Sequence, residues 1–288
     1  MKRLGAYLSL VRFSHSVFAL PFALSGAWLA AGGRPPLARL AWIVACAVCA
    51  RTAAMAFNRL VDREIDAENP RTRGRELPSG RISTSGASAL VAVASAAFVA
   101  CAFQLNALCG WLALPVLAVL FAYSYFKRFS VAAHAVLGLS LGLAPLGAWL
   151  AVRGSFDGLL APVLWLAGAV VTWVAGFDLI YACQDAEFDA RRRLYSFPGR
   201  YGIRASLGLS RALHVATVAC LALVGLTAGL DWIYAASVAL VALLLWWEHR
   251  LVSPDDLSRV DMAFFTVNGW VGIGLFVGLA LDRAVLGS

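Results

Sequence analysis

Turn-forming residues divide the chain into long apolar runs, and this pattern constrains the fold more than any other feature. Nine stretches stand out, roughly 15–32, 38–57, 86–105, 109–126, 131–151, 161–181, 206–227, 231–248 and 261–282. Runs of about 17 to 25 apolar residues cross ~30 Å of hydrocarbon at 1.5 Å per residue, so each stretch predicts a membrane-spanning helix. Breaks fall at turn-formers such as Gly32-Gly33-Arg34-Pro35-Pro36 and Gly229-Leu230-Asp231. The gap between Leu105 and Cys109 is the shortest, and the boundary there is the least marked. Composition agrees: 61% of residues are hydrophobic and 14% charged, against about 25% charged in soluble domains. A soluble, disordered or collagen-like chain is thereby excluded, and the expected fold is a single all-α integral membrane domain over residues 1–288.

The net charge of +8 must then lie outside the hydrocarbon. If the N-terminus is cytoplasmic, the N-tail and cytoplasmic loops hold 18 Lys and Arg, at 2, 3, 12, 59–81, 127–128, 191–204, 250 and 259. The opposite face holds four, Arg34, Arg39, Arg153 and Arg283, while Arg51 and Arg211 fall within helices. The positive-inside rule therefore predicts the N-terminus inside and the C-terminus outside. Thirteen of the 16 acidic residues crowd toward the same cytoplasmic face, which that rule does not require. Met1-Lys2-Arg3 before an apolar run resembles a signal peptide, but Arg12 and His15 interrupt the apolar core, so a retained helix is expected. The six Cys read as packing residues rather than disulfides, Cys46-x-x-Cys49 included.

Two acidic helix ends carry the chemistry. The first is Asn58-x3-Asp62-x3-Asp66, with Arg51 and Met55 extending the stripe deeper. The second is Asp178-x2-Tyr181-x3-Asp185-x3-Asp189. Steps of four residues keep side chains on one helical face, so each motif predicts a single stripe. Like charges at that spacing repel, and ionisable groups at membrane depth normally mark a working site. Two such stripes at one membrane face suit hard divalent cations, which take oxygen ligands, and Mg²⁺ commonly bridges carboxylates to substrate phosphates. Arg71, Arg73, Arg75 and Arg81 follow the first stripe, Arg191 to Arg193, Arg200 and Arg204 the second, and Lys127-Arg128 lie in a third loop. These fit a lid over a metal-bound diphosphate. A diphosphate at the mouth of an apolar cavity implies a substrate that is half charged and half hydrocarbon, as prenyl diphosphates are.

On these residues the sequence resembles the UbiA superfamily of intramembrane aromatic prenyltransferases along nearly its whole length. Arg51, Tyr123 and Lys127-Arg128 also stand where the family carries such residues. The resemblance implies nine helices around a central cavity, Mg²⁺ dependence and C-prenylation of an aromatic ring. Asp62, Asp66, Asp185 and Asp189 are then expected to hold Mg²⁺, with Asn58 completing the first site. Asp178 lies deeper, to ligate metal or orient Tyr181. Arg51 is expected to bind diphosphate or an acceptor carboxylate, and Arg75, Lys127 and Arg128 to clamp the diphosphate. Arg12, His15 and Tyr181 are candidates for touching the aromatic acceptor. Loops 58–85 and 182–205 would form a cytoplasmic cap. Asn268 is expected to make a structural hydrogen bond, His134, His214 and His249 share no ligand spacing, and Tyr195 is given no diphosphate role. Small and apolar residues of helices 1, 4, 5 and 9 are expected to line the tail of the cavity.

Several stretches, including Val11-Arg-Phe-Ser-His-Ser-Val-Phe-Ala-Leu-Pro21, Gly74-Arg-Glu-Leu-Pro-Ser-Gly-Arg-Ile-Ser83 and Leu194-Tyr-Ser-Phe-Pro198, resemble the menaquinone-pathway members of the futalosine route. That branch implies a polyprenyl diphosphate donor and 1,4-dihydroxy-6-naphthoate as acceptor, in the bacterial inner membrane with the site facing the cytoplasm. The alternative acceptor is 4-hydroxybenzoate, for ubiquinone. A divalent-cation or phosphate transporter is the remaining reading. Membrane lipid is an expected partner and nucleic acid is not.

Overall fold

The computed structural model describes residues 2–10 and 16–287. Arg12 and His15 therefore lie outside the described residues. Twelve α-helices follow in order: α1 (Lys2–Leu10), α2 (Ser16–Ala31), α3 (Leu37–Val61), α4 (Arg63–Glu68), α5 (Thr84–Leu105), α6 (Ala107–Phe126), α7 (Ala133–Arg153), α8 (Ala161–Ala182), α9 (Ala186–Arg191), α10 (Phe197–Ala228), α11 (Trp232–Glu248) and α12 (Asn268–Val285). A π-helical turn, Met262–Val267, leads into α12. Among the described residues seven helical segments are long and apolar enough to cross a membrane, and Leu20–Ala31 and Trp232–Glu248 are shorter apolar helices. The protein is an integral membrane protein. The two shorter helices stand where the first and eighth runs are expected, and α10 opens with a helical turn from Phe197 that is kinked at Gly202 (φ 83°, ψ 164°) before the seventh span.

The narrow gap near residue 106 is a true break. Asn106 is fully extended (φ −171°, ψ 167°) and starts α6 by accepting a hydrogen bond from the Cys109 amide at 2.8 Å. Its own amide nitrogen donates to the Leu150 carbonyl at 3.0 Å, tying the break to the end of α7.

α8 is the central helix. Leu166, Val170, Trp173, Val174 and Phe177 are buried in the main core with residues of α10, α11 and α12. Apolar side chains gain little by leaving lipid, so close backbone approach matters more than burial here. A Cβ on Gly26 would overlap the Pro145 backbone, and one on Gly138 would overlap the Val171 carbonyl. Gly26→Ala and Gly138→Ala are each expected to destabilise by about 1–3 kcal/mol, as overpacking does. Gly208→Ala in α10, where nothing lies within 4 Å, is expected to be neutral or mildly stabilising. Melting curves in one detergent check all three.

The six cysteines are free thiols, as expected. The Asn268 amide oxygen accepts from Trp173 Nε1 at 2.6 Å and its nitrogen donates to Glu248 Oε1 at 2.8 Å, the structural use predicted for it.

Candidate active site

The first acidic motif does not run along one unbroken helix. α3 stops at Val61, Asp62 sits near the bridge region (φ −89°, ψ 1°), and α4 carries Asp66. Backbone bonds continue through the break, Asp62 N to Asn58 O at 2.9 Å and Asp66 N to Asp62 O at 2.8 Å. The freed Val61 carbonyl accepts from Arg128 Nη2 at 2.6 Å, which satisfies a helix end that packing would leave orphaned. The second motif is interrupted in the same way, by a 3₁₀ turn over Cys183–Asp185 between α8 and α9.

Asp62, Asp66 and Asp185 each meet basic or amide groups from another part of the chain. Lys127 Nζ donates to Asp62 Oδ2 at 2.6 Å, and the Asn58 amide nitrogen reaches the same oxygen at 3.2 Å. Arg75 holds both oxygens of Asp66, at 2.7 and 2.8 Å, and the buried Arg59 lies 3.9 Å from the same carboxylate. Arg71 grips Asp185 with two nitrogens, Nε at 2.8 Å, and also donates to the Tyr181 hydroxyl at 3.0 Å. Asn69 adds a third bond to Asp185 at 2.9 Å. Asp189 lies in the first turn of α9.

Among the described residues no three Asp, Glu, His or Cys side chains gather to hold a metal. Instead, cations and carboxylates pair off, because neighbouring carboxylates repel and the loops supply enough arginine to neutralise them. One atom stands out from that pairing. Asp62 is only 3% exposed and its Oδ1 has no hydrogen-bond partner. Burial pushes the Asp62 carboxyl above its ordinary pKa, and Asp66 adds to this, while Lys127 and Arg128 pull it back. A buried, unsatisfied carboxylate oxygen is a donor suited to a hard cation. Arg71 is shifted upward: burial opposes its charge, but Asp185 and Tyr181 outweigh it.

Behind this charged layer lies a cavity of about 710 Å³. Asn58, Arg59, Arg75, Tyr123, Asp178 and Tyr181 line its polar end, and Arg51 projects into it from α3. Its wall then follows α3 back to Ile43, a distance of about 22 Å at the helical rise. Ala23, Phe98, Ala113, Leu141 and Ala144 line the apolar remainder. Of the runs expected to line the tail the first, fourth and fifth do, the ninth supplies only Phe264 to the cavity, and α3, α5 and α8 contribute as well. Asp62, Asp66 and Asp185 do not line the cavity; Asp62 and Asp66 are each one contact from a side chain that does, and Asp185 is two, through Arg71 and Tyr181.

Residues 19–270 match the family model described as the UbiA prenyltransferase family. The chain belongs to that family. It is 32% identical over 290 residues to the 4-hydroxybenzoate octaprenyltransferase of Cupriavidus necator, covering 99% of both chains. A solved apo structure of a UbiA homolog from Aeropyrum pernix is 36% identical, with TM-score 0.84 over 93% of this chain and 98% of that one. A UbiA homolog from Archaeoglobus fulgidus, solved with GPP and Mg²⁺, shares the fold at 21% identity, with TM-score 0.73 over 97% of this chain and 100% of that one. This UbiA-family protein is an aromatic prenyltransferase, which decides for the enzyme over the transporter.

Measured against the expectations, Asn58, Asp62, Asp66, Arg75 and Lys127 come together at one end of the bundle, with Arg128 3.8 Å from Asp62 Oδ1. Asp178, expected to ligate metal or orient Tyr181, meets His134 Nδ1 at 2.7 Å, while Arg71 holds the Tyr181 hydroxyl. The spacing of His134 matches no ligand pattern, because the pair forms between α7 and α8, out of reach of any local motif. His214 and His249 also bond to each other, at 3.0 Å, away from this site. Arg59 and Asn69 are the other site residues the motifs do not single out. Arg71 belongs to the expected lid, but the sequence does not show that it meets Asp185. Tyr195 lies under the Arg200 guanidinium, 3.8 Å from its ring centre.

Proposed function

We propose that the protein transfers a polyprenyl group from a polyprenyl diphosphate to a ring carbon of a hydroxylated aromatic acid. The observation that carries this reading is the cavity, apolar for most of its length and closed at one end by paired arginines and aspartates. The names of its relatives favour 4-hydroxybenzoate as acceptor over the 1,4-dihydroxy-6-naphthoate expected from the sequence. The naphthoate remains a second reading, supported by the stretches 11–21, 74–83 and 194–198.

Asp62, Asp66, Asp185 and Asp189, with Asn58, would hold Mg²⁺, whose charge would stabilise the departing diphosphate. Arg75, Lys127 and Arg128 would turn from their carboxylates to phosphate oxygens, an exchange of ion-pair partners that leaves few charges uncompensated. The carbon–oxygen bond to the diphosphate breaks with its electron pair, the ring carbon forms the new bond, and the ring then loses its proton. The apolar cavity walls keep water from the allylic cation. Arg51 would bind the acceptor carboxylate or the diphosphate, with Tyr181, Arg12 and His15 near the ring. Loops 58–85 and 182–205 would cap the cavity on the cytoplasmic side of a bacterial inner membrane, within nine spanning helices and with the N-terminus inside. The 18-to-four split of basic residues supports that orientation.

The test is product mass from purified protein given Mg²⁺, mixed prenyl diphosphates and both acceptors. Prenylated 4-hydroxybenzoate is expected to dominate; prenylated naphthoate alone would establish the second reading, and no product from either would refute prenyl transfer to an aromatic acid. Chelation with EDTA is expected to abolish turnover and added Mg²⁺ to restore it. Unchanged turnover after chelation would refute the metal assignment.

A further inference from the structure

We propose that His134 is a positioning residue for the aromatic acceptor: by holding one oxygen of Asp178 it leaves the other to receive the acceptor's hydroxyl. This deepens the reading above and rests on the acceptor being a hydroxylated aromatic acid.

His134 sits in the first turn of α7 and meets Asp178 of α8 with Nδ1 and Oδ2 2.7 Å apart. An ionised carboxylate can only accept, so the imidazole Nδ1–H donates. The N-terminus of α7 favours the anion beside it. The imidazole is nearly buried, and its Nε2 has no hydrogen-bond partner among the described residues, so the Asp178 contact is what fixes the ring. Asp178 lines the cavity and keeps 18% of its side chain exposed. No described residue hydrogen-bonds its Oδ1. A short charge-assisted bond on Oδ2 therefore orients a carboxylate whose second oxygen has only the cavity to serve.

The chemistry that fits that oxygen is a hydroxyl donor. A phenol bonded to a carboxylate gains electron density at oxygen, which passes to the ring carbon beside it and makes that carbon a better nucleophile. Arg51 lines the same cavity and suits the other end of a hydroxy acid, its carboxylate. Anion at one end and hydroxyl at the other would select the ring's orientation. A site built to bond a hydroxyl discriminates strongly against the analogue lacking it, because its own polar group is left unpaired.

Equilibrium binding to the purified full chain tests this, using 4-hydroxybenzoate against benzoate and 1,4-dihydroxy-6-naphthoate against 2-naphthoate. The wild type is expected to prefer the hydroxylated member of at least one pair by about tenfold or more. His134→Leu is expected to erase most of that preference while changing affinity for the deoxy acid less than about twofold. His134→Asn, whose amide places a donor near the imidazole Nδ1, is expected to restore it. His134→Gln moves the donor outward by a bond without burying an apolar group against the carboxylate, and is expected to behave like His134→Leu. Equal losses for both acids, a failure of His134→Asn to restore the preference, or its absence in the wild type would overturn the assignment. Turnover in the same preparations reads the reaction separately: selective loss of hydroxy-acid binding in a protein with no turnover would support His134 and refute prenyl transfer.

Discussion

Asp62→Asn and Asp185→Asn are each expected to lower prenyl transfer by about 100-fold or more while leaving the melting temperature in detergent within a few degrees of wild type. The loss follows from the chemistry proposed for these oxygens: removing one preorganised group that stabilises transition-state charge costs about 10²–10³ in rate. The small structural effect follows from the geometry. Asparagine keeps the volume and one acceptor oxygen, so the Lys127 bond at 2.6 Å and the Asn69 bond at 2.9 Å each retain a partner. Lys127 and Arg71 keep about 30% of their side chains exposed and can hydrate when the carboxylate charge is gone. The Asp62 carboxyl is itself buried with an unsatisfied oxygen, so neutralising it removes a desolvation penalty as well as an ion pair. Glu68→Gln is the control: it pairs with Arg192 at 2.8 Å at the surface, where such pairs contribute little, and turnover should stay within about twofold. Activity within a few-fold of wild type in both aspartate variants would refute the metal and diphosphate assignment.

That Asp62 and Asp185 were legible as candidates, and their partners were not, has one physical cause. Helical periodicity records which residues share a face, and the i, i+4 spacing of Asn58, Asp62 and Asp66 survives even though the helix breaks between Val61 and Arg63. Apolar run length likewise records the spans, because the hydrocarbon thickness sets it. Contacts between elements leave no such period. Arg71 and Asp185 are 114 residues apart, Lys127 and Asp62 are 65 apart, and His134 and Asp178 are 44 apart. A run of arginines announces only that phosphate or carboxylate is near; which carboxylate each meets is a property of packing. The motifs therefore place the acids by face and the bases by loop, and leave the ion pairs between them to the packing.

Arg51→Met is expected to raise the melting temperature while lowering prenyl transfer by about 100-fold or more. Arg51 projects into the cavity and makes no hydrogen bond or ion pair with any described residue, and its Nε is buried without a partner. Apolar residues such as Ala47, Ala54 and Met55 surround its place on the wall. An unpaired cation in such surroundings is held against its own desolvation, and a methionine of similar length would pack there without that penalty. Water in the cavity relieves part of the penalty, so the gain should be on the order of 1 kcal/mol, or roughly 2–4 °C for a chain of this size. Stability given up at a fixed position marks a group retained for binding, and the natural occupant is an anion that reaches the cavity only with substrate. Arg51→Lys should then recover part of the activity, since it keeps the charge but loses the forked geometry that meets a carboxylate or phosphate at two atoms. A methionine variant that is less stable than wild type would show that the guanidinium braces the fold, and one that keeps its turnover would show that neither diphosphate nor acceptor needs it.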